Sequence, residues 1–155
     1  MTMNAMAEIQ THPVWQHNRV ILSHFDSYST ALVFARWPDG SLLAPGPLPA
    51  GAKVGVEAAA DGSVTAQTVI DAALETLQLT PAEFVYVGDF DAWAAAESGA
   101  VRIHLLRFTT FEAPAHRIEG GGGIFRPISA LRGADAQELL LMRKVFDLIM
   151  GGGGR

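Results

Sequence analysis

The sequence predicts one α+β domain in which a mixed β-sheet is flanked by two main helices, at about 65–79 and 134–150. Three observations carry that prediction. Ala66, Val69, Ile70, Ala73, Leu74 and Leu77 form a continuous apolar stripe at helical spacing. The run from Val101 to Glu112 is apolar on both of its alternating faces, as a strand inside a sheet must be. The order of elements is strands, helix, strands, helix, which packs most economically as a sheet with a helix on each side.

Along the chain, residues 1–12 are small and polar with no period, and are expected to form a flexible arm. Residues 13–150 then make the single domain. Val20-Ile21-Leu22 offers a short strand. Ala31 to Ala44 reads as a β-hairpin around Pro38-Asp39-Gly40, where proline presets φ and glycine accepts a positive φ. Pro45 to Gly51 holds three prolines and must run along a surface or an edge. Val54 and Val56 alternate with polar residues as a strand would, and Asp61-Gly62 is a turn.

Ser63 or Thr65 is placed to cap the first helix, and Thr80-Pro81 stops it. Phe84 to Val87 reads as a strand, and Asp91 to Ala96 as a helical turn or a loop. Pro114 to Gly123 reads as a loop, and Ile124 to Pro127 as a short strand. Ser129 or Asp135 begins the last helix, whose apolar stripe is Leu139, Met142, Val145, Phe146 and Ile149. The glycines of 151–155 suggest a disordered tail.

Composition narrows the function classes. The chain has 155 residues, no cysteine and a net charge of −5. Thiolate catalysis, disulfides and cysteine-ligated zinc are therefore excluded, and a cytoplasmic location is the expectation. The eleven Lys and Arg residues are scattered, so no nucleic-acid partner is expected. No apolar run reaches the roughly 20 residues that span a bilayer, and the first ten residues do not read as a signal peptide. The charged fraction is 17%, against about a quarter in ordinary domains. Apolar surface left by that shortfall suggests a homodimer or another partner.

Phe125-Arg126-Pro127-Ile128-Ser129-Ala130-Leu131, leading into the final helix, together with the order hairpin, helix, long strand, short strand, helix, resembles the Nudix hydrolases. The resemblance covers about 29–150 and implies a Nudix-like α/β/α sandwich. In that family several glutamates on a loop and helix hold Mg²⁺ against a diphosphate, since a hard cation takes oxygen ligands. The corresponding stretch here, 62–79, keeps only Glu75, with Ala72 and Thr76 at two of the glutamate positions. The resemblance thus implies a catalytically silent relative.

Five acidic residues are the candidate ligand-binding positions: Glu57, Asp71, Glu75, Asp89 and Asp91. Asp71 and Glu75 lie four apart on one side of a helix, where two carboxylates make either a weak cation site or a solvated face. Asp89 and Asp91 follow a strand, where with Glu97 they either bind a metal or polar ligand or form turns. No histidine pair has metal-ligand spacing, and no metal is expected in the main reading. Gly120 to Gly123 is followed by a strand rather than a helix, which excludes a phosphate loop and leaves a flexible lid or a surface loop. Trp15, Trp37, Phe111 and Phe125 either line a pocket or pack in a core or interface.

The expected function is a non-catalytic or accessory protein, homodimeric, that binds a small molecule or a protein partner without a cofactor. No catalytic residue stands out. The alternative is a Mg²⁺-dependent hydrolase of a nucleotide-like or phosphorylated small molecule, built on Glu57, Asp71 and Glu75.

Overall fold

A computed structural model describes residues 13–26, 28–55 and 65–151. The expected N-terminal arm, Glu57, Val56, the Asp61-Gly62 turn, Ser63 and residues 152–155 lie outside the described residues. The fold is α+β. Among the described residues, seven strands form one mixed sheet: β1 (Asn18–Asp26), β2 (Ala31–Arg36), β3 (Lys53–Val54), β4 (Phe84–Tyr86), β5 (Ala92–Ala96), β6 (Gly99–Phe108) and β7 (Ile124–Pro127). Their order is β3-β5-β6-β1-β2-β7, with β4 also paired to β6. Only β1 and β6 run parallel; the other pairs are antiparallel.

The helices are α1 (Ala66–Leu77), the single turn α2 (Ala115–Ile118) and α3 (Ala136–Phe146). α3 continues through a π turn to Gly151.

β6 is the central strand that the double apolar pattern predicts. Ile103 and Leu105 enter one core, with Ile21, Phe34 and the α3 residues Leu141, Met142 and Val145. Leu106 and Phe108 enter the other, with Val20, Leu22 and the α1 residues Val69, Ala72 and Ala73. A sheet buried on both faces thus has α3 on one side and α1 on the other. The Thr65 hydroxyl caps α1 by accepting from the Thr68 amide, and Gln78 ends it in a left-handed conformation, φ 57°.

Several sequence expectations are corrected. Asp91 to Ala96 is neither helical nor loop: Ala92–Ala96 is β5, paired with Gly99–Ile103 across a two-residue turn. Alanine favours helices, but pairing to a buried central strand overrides that weak preference. The Pro38-Gly40 turn forms, closed by the Gly40 amide on Trp37 O at 2.8 Å. Its return limb does not pair with β2 as a hairpin. It crosses back to β1 instead, where Ala44 bridges Val20, and β2 pairs with β1 and β7.

Pro114 to Gly123 contains α2 and a 3₁₀ turn at Glu119–Gly121 rather than only loop. The inward stripe of α3 is Glu138, Leu141, Met142 and Val145, while Phe146 is 39% exposed. Of the expected stripe, Met142 and Val145 are buried and Leu139 and Ile149 pack against the same core; the inward face also takes in Leu141 and the carboxylate of Glu138, which no apolar pattern marks.

Candidate functional site

The sheet face under α1 carries an open cleft of about 610 Å³, within the roughly 300–1,000 Å³ usual for small-molecule sites. Four separated segments wall it. Trp37, Pro38 and Asp39 follow β2, and Ala44-Pro45 is the limb that returns to β1. Thr76, Leu77 and Gln78 are the end of α1. Arg117, Ile118, Gly120 and Gly121 come from α2 and the turn after it. The walls are chiefly apolar, with a few polar groups.

Trp37 is held by packing. The glycine run lies directly against it: a Cβ on Gly123 would stand 2.9 Å from Trp37 Cζ3, and one on Gly121 3.2 Å from the same atom. Gly122 has φ +80°, and a Cβ there would meet Pro38 Cγ at 2.5 Å. Both its backbone conformation and its space exclude a side chain. The run is therefore neither a free lid nor a plain surface loop; it is the seat of Trp37-Pro38. Trp37 Nε1 is shut from solvent with no hydrogen-bond partner among the described residues, so no polar contact positions the ring. Opposite, the Trp15 indole donates to Thr76 Oγ1 at 3.2 Å and fixes the end of α1.

Arg117 is the one cation among the described residues lining the cleft. Its Nε and Nη2 fork onto Glu83 Oε1 and Oε2 at 2.7 and 3.3 Å. This hydrogen bonding holds the Glu83 carboxyl below its ordinary value and raises the Arg117 guanidinium. Asp39 turns Oδ1 to the Ser41 amide at 2.9 Å.

A second polar feature lies beneath the same face. Asn18 donates Nδ2 to Val14 O at 2.9 Å, so its Oδ1 is the acceptor for His104 Nε2 at 2.7 Å. His104 therefore carries its proton on Nε2, and Nδ1 accepts from the Tyr86 hydroxyl at 2.5 Å. Burial, and next the Arg102 charge, hold His104 down to about 4. Burial pushes the Tyr86 phenol up, with Arg102 opposing. The chain is a closed set of satisfied partners around a neutral imidazole, which suits positioning of β1, β4 and β6 better than proton transfer.

On the other face, Glu138 is 2% exposed. It accepts from Ser41 Oγ and from the Leu42 amide, both at 2.7 Å. Burial raises its pKa, those two hydrogen bonds lower it, and the Asp135 and Asp39 carboxylates raise it further. Gln137 Oε1 takes the Val54 amide at 2.7 Å, and Asp135 caps the helix by accepting from the Gln137 and Glu138 amides. The first turn of α3 thus clamps both the 41–43 loop and β3.

Of the predicted acidic positions, Glu57 lies outside the described residues, and Asp71, Glu75, Asp89 and Asp91 are not part of the cleft lining. Asp71 and Glu75 are exposed on α1, where Asp71 accepts from Gln67 Nε2 at 2.8 Å. Asp89 and Asp91 are exposed on the turn and loop between β4 and β5, and Asp91 accepts from Trp93 Nε1 at 3.0 Å. Among the described residues no group of three or more His, Asp or Glu could hold a metal ion. Of the four aromatics, Trp37 lines the cleft, Trp15 is buried, Phe125 packs edge-on to Phe108, and Phe111 is 77% exposed.

The chain matches no protein-family model, and no curated protein matches it.

Proposed function

We propose that this chain is a small-molecule-binding protein without catalytic chemistry of its own, and that the cleft beside Trp37 is its site. The observation that carries the reading is the cleft itself. It is concave and apolar, and Gly122 and Gly123, where a Cβ would run into Pro38 and Trp37, fix its aromatic wall. Few polar groups converge there, and the one cation is already paired, which suits recognition more than bond cleavage. The buried Tyr86-His104-Asn18 chain offers no exposed base to a bound molecule.

A Nudix-like relationship remains part of this proposal, supported by the mixed sheet between α1 and α3 and by the segment Phe125 to Leu131. The absence of cysteine supports a cytoplasmic location. A homodimer is supported by the exposed edge-to-face pair Tyr28 and Phe111, with ring centroids 5.9 Å apart. Among the described residues no helix is long and apolar enough to cross a membrane.

The test is a thermal-shift screen of flat apolar small molecules, repeated on Trp37→Ala. A ligand that binds only the folded state raises the melting temperature. Hits that vanish with Trp37→Ala are the expected result. Hits that persist unchanged would move the site away from the cleft.

A further inference from the structure

Building on the cleft as a ligand site, we infer that its ligand is a flat, apolar monocarboxylate whose ring lies against Trp37 and whose carboxylate is taken by Arg117. The fork onto Glu83 uses Nε and Nη2, which leaves Arg117 Nη1 with no protein partner among the described residues. The same fork fixes the plane of the guanidinium. A guanidinium so held takes a second oxyanion with little further loss of side-chain freedom.

Asp39 lines the same cleft, and its charge repels an anion from that end. The anion is therefore placed at the α2 end, beside Arg117. The charge count also limits the ligand. Glu83 already offsets the Arg117 charge, so what the cleft offers an anion is the unpaired Nη1 edge of one guanidinium, enough for one carboxylate, whereas phosphate esters and diphosphates want several cations or a metal. The larger apolar side chains of the lining, Trp37, Pro45, Leu77 and Ile118, favour a ring system over a sugar.

The experiment titrates naphthoate, its neutral counterpart naphthalenemethanol and inorganic phosphate into the full chain, read by tryptophan fluorescence and thermal shift. The expected result is naphthoate binding roughly tenfold or more tighter than the alcohol, with phosphate weaker than both. Arg117→Gln should bring naphthoate down to the level of the alcohol and leave the alcohol unchanged. Glu83→Gln keeps an amide oxygen to accept from Arg117 Nε but removes the competing negative charge, and should widen the preference for naphthoate. That variant carries the test if Arg117→Gln fails to fold.

Equal binding of naphthoate and the alcohol would overturn the carboxylate assignment and leave the cleft standing as an apolar site. A preference unmoved in Glu83→Gln, or phosphate binding tighter than naphthoate, would overturn it too. Failure of both aromatic probes to bind would remove the cleft reading as well.

Discussion

On one face of the sheet, α3 lies over Ile21, Phe34, Ile103 and Leu105, and its first turn ties down loop 41–43 and β3 through Glu138 and Gln137. On the other, α1 covers Val20, Leu22, Leu106 and Phe108, yet its C-terminal end stops beside an open cleft. Both faces bury polar groups, and they do so differently. The α3 face buries a carboxylate whose donors are a hydroxyl and an amide of a distant loop. The α1 face buries a neutral imidazole inside the sheet and leaves the space beyond α1 unfilled. The difference teaches where stability and function sit: a face closed by a long-range clamp is scaffold, and a face held open by a seated aromatic is available to a ligand.

The clamp should give the largest effect. Glu138→Ala leaves the Ser41 hydroxyl and the Leu42 amide buried without their acceptor, and should cost about 3 kcal/mol by urea denaturation. Binding at the cleft should survive wherever the variant stays folded. A cost under about 1 kcal/mol would mean that the clamp does little.

The imidazole on the opposite face predicts an acid dependence of similar size. Its folded pKa of about 4 lies below the ordinary 6.5, so the unfolded chain binds the extra proton first. The stabilisation is complete above about pH 6.5 and is lost as pH falls toward 4, on the order of 3 kcal/mol in all. Glu138 has the opposite sign. Its folded pKa is raised, so its contribution is present at low pH and is lost as pH rises through the folded value. The His104→Gln variant isolates the first effect: the denaturation midpoint of the wild type should fall between pH 7 and 5 more steeply than that of the variant. Parallel profiles would contradict the assignment.

Gly123→Ala comes next. Its Cβ would press on Trp37 Cζ3 at 2.9 Å and Ile118 Cβ at 3.1 Å. Overpacking of this kind costs about 2 kcal/mol, and the displaced ring should weaken ligand binding, as calorimetry with a cleft ligand would show. Unchanged affinity would separate Trp37 from the site. The smallest effect belongs to Glu75→Gln. Exposed on α1 and outside the cleft lining, it should change stability by less than about 0.5 kcal/mol and leave binding unaltered. A large loss of activity with the fold intact would revive a carboxylate-based mechanism.

What the sequence made legible was local. The stripe of α1, its Thr65 cap, the two-faced strand β6, the 38–40 turn and the short strand before Pro127 all follow from neighbours in the chain. What escaped depends on distant partners. Alanine-rich β5 looks helical until β6 pairs with it. Glu138 falls outside any apolar stripe, and only Ser41 and Leu42, 97 and 96 residues away, turn it inward. The glycine run looks loose until Trp37-Pro38, more than eighty residues earlier, rests on it. The cleft draws on four segments, none of which carries a motif, whereas Asp71 and Glu75 are exposed on α1 and Asp89 and Asp91 on the loop between β4 and β5.

The central claim, that the open side of the α1 face is the ligand site, is tested most directly by fluorine NMR of the chain labelled with fluorotryptophan. Its three tryptophans, Trp15, Trp37 and Trp93, give three resonances, and Trp37→Phe identifies the one that matters. Titration with naphthalenemethanol should move the Trp37 resonance furthest and leave Trp93, on β5, in place. Saturable binding with Trp37 unmoved would contradict the account.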